Sequence, residues 1–274
     1  MGRDFGAAPI IFAAKGKAIR RCPAPLGLPW GWRAGYAAIM PKPASPRPQR
    51  PPIIVFDLDG TLVDTAPDLI ASLNHALGDL GFEAVDRALM NSHVGMGGRA
   101  MIERVFTINQ RRVDPEVIER QHQLFIEHYT AGIPGISRPY PGVLEAIERA
   151  RETGFAFAIC TNKPEAMAVS LITRLGLAPL FGAICGADTF AFRKPDPRHL
   201  METIARAGGD PERALMVGDS RTDIDTAKAA GIPIVAVDFG YTDRHVRDFE
   251  PSAVISHYDE LTLDLIGRLI RAAR

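Results

Sequence analysis

Six short apolar runs punctuate residues 51–274, and stripes of helical spacing separate most of them. The runs cover 53–56, 155–160, 183–185, 214–217, 234–237 and 253–255. Each is too short for a helix, and three of them (53–56, 234–237 and 253–255) are dense in β-branched residues, as strands buried on both faces are. Between them, Val143-Leu144-Ile147, Met167-Leu171-Ile172-Leu175, Leu200-Ile204 and Ala227-Ala230 each mark one helix face. The alternation predicts an α/β fold: a Rossmann-like parallel sheet with helices on both faces.

Residues 66–138 break the alternation. They hold helical stripes, Leu69-Leu73-Leu77-Leu80, Ala100-Met101-Val105 and Val117-Leu124-Phe125-Tyr129, and no convincing strand. Thr65-Ala66-Pro67-Asp68 supplies a helix start, with an N-cap hydroxyl, a proline in the first turn and an acid three residues on. The expected organisation is an all-helical insert over 66–138 in a core made of 51–65 and 139–274. Starting just after the first strand, the insert must lie over the carboxyl edge of the sheet, where a lid excludes water and reads a substrate.

Residues 1–50 look different. They contain eight of the 22 prolines, nine Lys/Arg and a single acid, Asp4, and so carry a charge of +8. Alternating Pro41, Pro43, Pro46 and Pro48 favour an extended linker and exclude helix. The patch Ile10-Ile11-Phe12-Ala13-Ala14 is short for a secretory signal, and Ser45 is the only serine, unlike a transit peptide. A disordered, dispensable extension is expected, with Met40 as an alternative start that would leave residues 1–39 unmade.

The remaining chain has 23 basic and 31 acidic residues, a net −8, which argues against general nucleic-acid binding. No apolar stretch reaches membrane-spanning length. Three cysteines (Cys22, Cys160, Cys185) form no disulfide framework or zinc spacing, so reduced thiols and a cytoplasmic protein are expected. Sequence leaves open whether the protein is a monomer or a homodimer.

Candidate chemistry gathers where strands end, the place at which open α/β sheets bind ligands. Asp57-Leu58-Asp59-Gly60-Thr61 follows the first strand. One carboxylate there can act as nucleophile and metal ligand while the other handles protons, and Gly60 lets the chain turn. The plainer reading is an ordinary Asp-Gly turn. Thr161-Asn162 follows the second run, with Asn162 as a candidate N-cap and Glu165 three residues on, which would open a helix N-terminus to anions. Lys194, flanked by Arg193 and Pro195-Asp196-Pro197, is either a surface lysine or an ammonium fixed to neutralise both a phosphate and Asp57. Asp219 and Asp223 follow the fourth run and with Asp57 would bind a small hard cation such as magnesium; Thr222 and Asp225 also read as a capping box. Four sites on one sheet edge describe magnesium-assisted phosphoryl transfer through an aspartyl-phosphate.

Over residues 52–258 these motifs, in order, resemble the four motifs of the haloacid dehalogenase-like (HAD) superfamily, and the insert resembles its small helical C1 cap. The resemblance implies Asp57 as nucleophile, Asp59 as general acid/base, and Thr161, Asn162 and Lys194 around the phosphate. Magnesium would lie on Asp57, Asp219 and the Asp59 carbonyl, with Asp223 in support. The second aspartate, Asp59, argues against carbon–halogen cleavage, because true dehalogenases lack it. The stretch from Asp57 to Leu69, Arg138-Pro139-Tyr140-Pro141-Gly142, Thr161-Asn162-Lys163-Pro164 and Phe239-Gly240-Tyr241 are similar to bacterial phosphoglycolate phosphatases. The basic leader departs from that family. The expectation is a phosphatase acting on a small phosphorylated metabolite, 2-phosphoglycolate foremost. A sugar phosphomutase, a pyrophosphatase or nucleotidase, and a non-catalytic phospho-ligand-binding protein are the alternatives.

Within the insert, Gly95-Met96-Gly97-Gly98-Arg99 is a glycine-rich loop opening a helix but not following a strand, so a dinucleotide site is not expected. Plain loop flexibility is one reading. The other has Gly97 and Gly98 closing on substrate while Arg99 pairs with its carboxylate. His75, His122 and His128 read as solvated or core-edge residues, and His93 as a weaker substrate candidate.

Overall fold

Every residue of β1 (Ile53–Phe56) is buried, and the strand is paired on both sides. The computed structural model describes residues 50–242 and 244–273. The disorder and alternative start expected for the leader, and Cys22, fall outside the described residues apart from Arg50. The strands β4 (Ala156–Cys160), β5 (Ala183–Cys185), β6 (Ala214–Gly218), β7 (Ile234–Val237) and β8 (Ala253–Ile255) complete a sheet ordered β5-β4-β1-β6-β7-β8, with every neighbour parallel. Chain order therefore runs outward in opposite directions on the two sides of β1. That is a topological switch point, and the ends of β1, β4 and β6 lie together at it.

Alternation along β1 divides the core. Ile54 and Phe56 enter one apolar layer with α5 (Val143–Arg151), α6 (Glu165–Arg174) and α9 (Leu263–Ala272). Ile53 and Val55 enter the other, packed on α7 (Pro197–Arg206) and α8 (Arg221–Ala230). At about 25 cal/mol per Å² of apolar surface, such two-sided burial makes β1, like the fully buried β6 and β7, costly to replace.

Four helices are inserted between β1 and β4: α1 (Ala66–Leu77), α2 (Arg87–Val94), α3 (Gly98–Ile108) and α4 (Pro115–Gly132). Leu69, Leu73 and Leu77 of α1 pack with Ile118, Phe125 and Tyr129 of α4 in the first apolar layer. The chain enters and leaves this insert through a two-stranded antiparallel ribbon, β2 (Val63–Asp64) against β3 (Arg138–Pro139). The ribbon and α2 carry no clear periodic signal, whereas α9 does, with Ile266 and Ile270 buried on one face. Arg138, expected in the helical insert, pairs with Asp64 in the ribbon instead.

Helix α1 starts where the sequence indicates, but by different bonds. Thr65 is the N-cap residue, yet its side chain makes no capping bond. The Tyr241 hydroxyl accepts from the Thr65 and Ala66 N–H groups at 2.7 and 2.8 Å. Asp68 accepts from the N–H groups of Ile136 and Ser137 at the insert's exit. Among the described residues, no helix is long and apolar enough to cross a membrane.

Candidate active site

The extended run ends at Phe56, and Asp57 begins the turn, its N–H still held by the Val217 carbonyl of β6 at 2.9 Å. Gly60 has φ of +83°, and a Cβ there would lie 2.4 Å from Asp219 Oδ2. A Cβ at Gly240 would meet the Asp219 side chain at 2.2 Å. Both glycines are thus required for Asp219, from the loop after β6, to reach the turn after β1.

Asp219 is held by two donors, the Thr61 hydroxyl at 3.0 Å on Oδ1 and the Tyr241 N–H at 2.6 Å on Oδ2. Asp223 lies in the first turn of α8 and accepts from Ser220 N and Oγ. The capping box therefore pairs Ser220 with Asp223, two residues earlier than the Thr222–Asp225 box expected from sequence. Thr222 sits inside the helix. Lys194 is buried between two acids, its Nζ 2.6 Å from Asp223 and 2.8 Å from Asp57 Oδ1. The Lys194 N–H donates to Nδ1 of buried His199 at 3.1 Å, which fixes the loop. Burial, then the Lys194 charge, lowers His199 to about 4, so it stays a neutral acceptor.

Asp57, Asp219 and Asp223 each bring a carboxylate oxygen within 4.8 Å of the others, and all three are buried. Among the described residues, Lys194 is the basic side chain paired with this cluster. Burial, then Asp223, pushes Asp57 up to about 6 against the pull of Lys194. Burial, then Asp223 and Asp57, holds Asp219 well above the usual carboxylate range. Burial alone would lower Lys194, but Asp223 and Asp57 override it and hold the ammonium charged. Asp57 Oδ1 has no aligned hydrogen bond; its contact with Lys194 is an ion pair only. Three crowded acids, one cation, a buried oxygen without an aligned bond and oxygen-only donors fit a hard metal ion.

Asp59 faces elsewhere. Its Oδ1 accepts from the Thr65 hydroxyl at 2.7 Å, and Lys163 Nζ lies 3.1 and 3.2 Å from its two oxygens. The Thr65 hydroxyl expected to cap α1 is therefore spent on Asp59. The expected metal contact of Asp59 would have to come from its backbone carbonyl. Burial alone would lower Lys163, but Asp59 and then Tyr129 hold it above its ordinary value. Lys163 has no local signature in the sequence, because its partner is 104 positions away.

Thr161 is buried at the end of β4, its N–H held by the Cys185 carbonyl and its hydroxyl accepting from the Lys163 N–H at 3.2 Å. Asn162 is not the cap of α6. Pro164 occupies that position, and the Glu165 N–H donates to Asp188. The Asn162 amide instead donates to the Lys194 carbonyl at 3.0 Å, bracing the two loops against each other. Burial pushes the Cys160 thiol up to about 12, so the neighbouring cysteine is unreactive.

In the insert, Arg99 forms an ion pair with Glu119 of α4 and lines a surface cavity with Glu103, Phe106 and Arg111. The structure does not place it among the residues paired with the acids above. Gly98 packs on the Phe125 ring, where a Cβ would clash at 2.6 Å, and Gly97 has φ of +90°. The His75 and His128 rings stack at 4.2 Å, and His128 Nδ1 lies 3.0 Å from Ser72 Oγ. His93 lies in the last turn of α2.

Comparison with known proteins agrees with this architecture. Residues 54–237 match the family described as haloacid dehalogenase-like hydrolase. A phosphoglycolate phosphatase of Mesorhizobium japonicum is 67% identical over 222 residues, which span 81% of this chain and 98% of that protein. One from Agrobacterium fabrum is 46% identical over 219 residues, spanning 80% of this chain and 94% of its own. The crystal structure of a predicted phosphoglycolate phosphatase from Haemophilus somnus 129pt superposes with a TM-score of 0.71 at 28% identity, covering 78% of this chain and 97% of that one.

Proposed function

The chain belongs to the haloacid dehalogenase-like hydrolase family, and we infer that it is a phosphatase hydrolysing 2-phosphoglycolate to glycolate and inorganic phosphate. The observation that carries this reading is the meeting of Asp57, Asp219, Asp223 and Lys194, from three separate loops, in one buried cluster. Relatives at 67% and 46% identity that are named for this activity supply the substrate.

In this reading Asp57 attacks phosphorus. A bond forms between its carboxylate oxygen and phosphorus, and the bond from phosphorus to the ester oxygen breaks. Asp59 gives a proton to the departing alkoxide, and then takes one from the water that hydrolyses the aspartyl-phosphate. Lys194 and Thr161 hold the phosphoryl oxygens, with Asn162 bracing the loops that carry them. Asp57, Asp219 and the Asp59 carbonyl would hold a magnesium ion, with Asp223 in support. When bound, that ion supplies charge neutralisation for the phosphoryl group and the clustered acids. Helices α1–α4 act as the cap, over the core built on the six-stranded sheet.

A panel of phosphoesters at fixed magnesium, read by release of inorganic phosphate, tests the assignment. Turnover greatest with 2-phosphoglycolate is the expected result. Isomerisation of a sugar phosphate without phosphate release would point to a mutase, and faster cleavage of pyrophosphate or nucleotides to those activities.

A further inference from the structure

Two lysines are buried at the carboxyl edge of the sheet, and they differ in what they are tied to. Lys194 is held between Asp57 and Asp223 and belongs to the phosphoryl end. Lys163 touches one acid, Asp59, and faces the cap: its Nζ lies 4.4 Å from the centre of the Tyr129 ring on α4. Both Lys163 and Tyr129 are more than nine-tenths buried. The Tyr129 hydroxyl is buried there with no aligned hydrogen bond of its own. The ammonium lies over the face of the tyrosine ring at the seam between core and cap, and an ammonium and a nearby phenol hydroxyl are the donors a carboxylate needs.

We propose that Lys163, assisted by the Tyr129 hydroxyl, reads the carboxylate of the substrate and so sets specificity for a phosphorylated 2-hydroxy acid. The inference rests on the reading given under Proposed function. In-line displacement sends the leaving group away from Asp57, toward the cap, and its oxygen must come within hydrogen-bond distance of Asp59 to receive a proton. In 2-phosphoglycolate the carboxylate carbon is two bonds beyond that oxygen. Lys163 Nζ is 3.1 and 3.2 Å from the Asp59 oxygens, so a carboxylate placed in this way falls within its reach. Arg99 on α3, the other cationic candidate, is turned to Glu119. Lys163 donates at most three hydrogen bonds and spends two of them here on Asp59, leaving one N–H for a second anion beside the first.

The test compares kcat/KM for 2-phosphoglycolate with that for ethyl phosphate, which has a methyl group in place of the carboxylate. Wild-type protein is expected to prefer the carboxylate ester. Lys163→Met lowers that preference about 30-fold, the worth of one charged hydrogen bond, and Lys163→Arg keeps part of it. Lys163→Met also deprives Asp59 of its partner, so Tyr129→Phe, which leaves the ion pair in place, is the second variant; it lowers the preference roughly 5-fold. Equal slowing of both esters in Lys163→Met, with Tyr129→Phe unchanged, would reduce Lys163 to a support for Asp59 and overturn the inference alone. Wild-type protein without the preference would overturn the substrate assignment itself, and this inference with it.

Discussion

The Thr61 hydroxyl donates to Asp219 Oδ1 at 3.0 Å, joining two positions 158 residues apart inside the buried cluster. Thr61→Val keeps the shape and removes the donor. It should cost about 1–2 kcal/mol of stability, because a buried carboxylate oxygen loses its partner. Magnesium affinity should fall as well, since Asp219 is no longer aimed. Urea unfolding and calorimetric titration with magnesium check both. Unchanged metal affinity would show that Tyr241 alone positions the carboxylate.

Asp57→Asn should abolish turnover while leaving the fold intact, because Lys194 retains Asp223 as its partner. Removing one of three crowded acids relieves repulsion, so the melting temperature without metal should hold or rise. Phosphate release and a thermal melt measure the two effects. Retention of even about a tenth of wild-type activity would refute a nucleophilic Asp57, since a nucleophile's loss is worth orders of magnitude.

Metal and protons compete for the same oxygens. In the cation-free fold Asp57 is raised from 3.8 to about 6 by burial first and then by Asp223, and Asp219 is raised for the same causes. The folded state therefore binds protons more tightly than the unfolded chain: through Asp57 it loses stability as pH rises from about 4 to 6, and Asp219 acts in the same direction. A divalent cation requires the ionised acids, so its stabilisation has the opposite sign. It should be large at about pH 7.5 and fade below about pH 5. Melting temperatures with and without magnesium at the two pH values give the answer; a gain independent of pH would place the ion elsewhere.

Tyr241→Phe removes a hydroxyl that accepts from the first N–H groups of α1 and donates to Asp64 at 2.6 Å. A loss of about 1–2 kcal/mol is expected, comparable to deleting a helix cap. Because its backbone N–H still holds Asp219, magnesium affinity should change little. Activity should fall through the insert, and kcat and KM should move together.

Arg99→Ala breaks an exposed pair with Glu119, worth about 0–1 kcal/mol. Kinetic effects should be small and equal for 2-phosphoglycolate and ethyl phosphate. A loss confined to the carboxylate ester would return Arg99 to the role of reading it.

The strands and the acids that follow them are legible because buried parallel strands read as short apolar blocks, and whatever polar residue comes next lies on the binding edge. Asp57 and Asp219 are found by that rule, and Lys194, nine positions beyond β5, by the prolines that follow it. Local rules fail where a side chain has a stronger distant partner. Thr65 and Asn162 have the chemistry of N-caps, but Asp59 and the Lys194 carbonyl take them. Asp68 looks like the acid of a capping box and serves Ser137 instead. The pairing of Lys163 with Asp59, and the Tyr241 hydroxyl that starts α1, rest on contacts across more than a hundred residues. No periodicity encodes such contacts. The ribbon of Val63–Asp64 with Arg138–Pro139 is two residues long on each side, below any pattern's resolution.

That ribbon brings the two ends of a four-helix excursion side by side. An insertion whose entrance and exit are neighbours can be lengthened, shortened or exchanged for another without pulling apart the strands that carry Asp57 and Asp219. The fold thereby separates two evolutionary problems: the sheet keeps one reaction fixed, and what hangs from the paired strap is free to change which molecule is admitted to it.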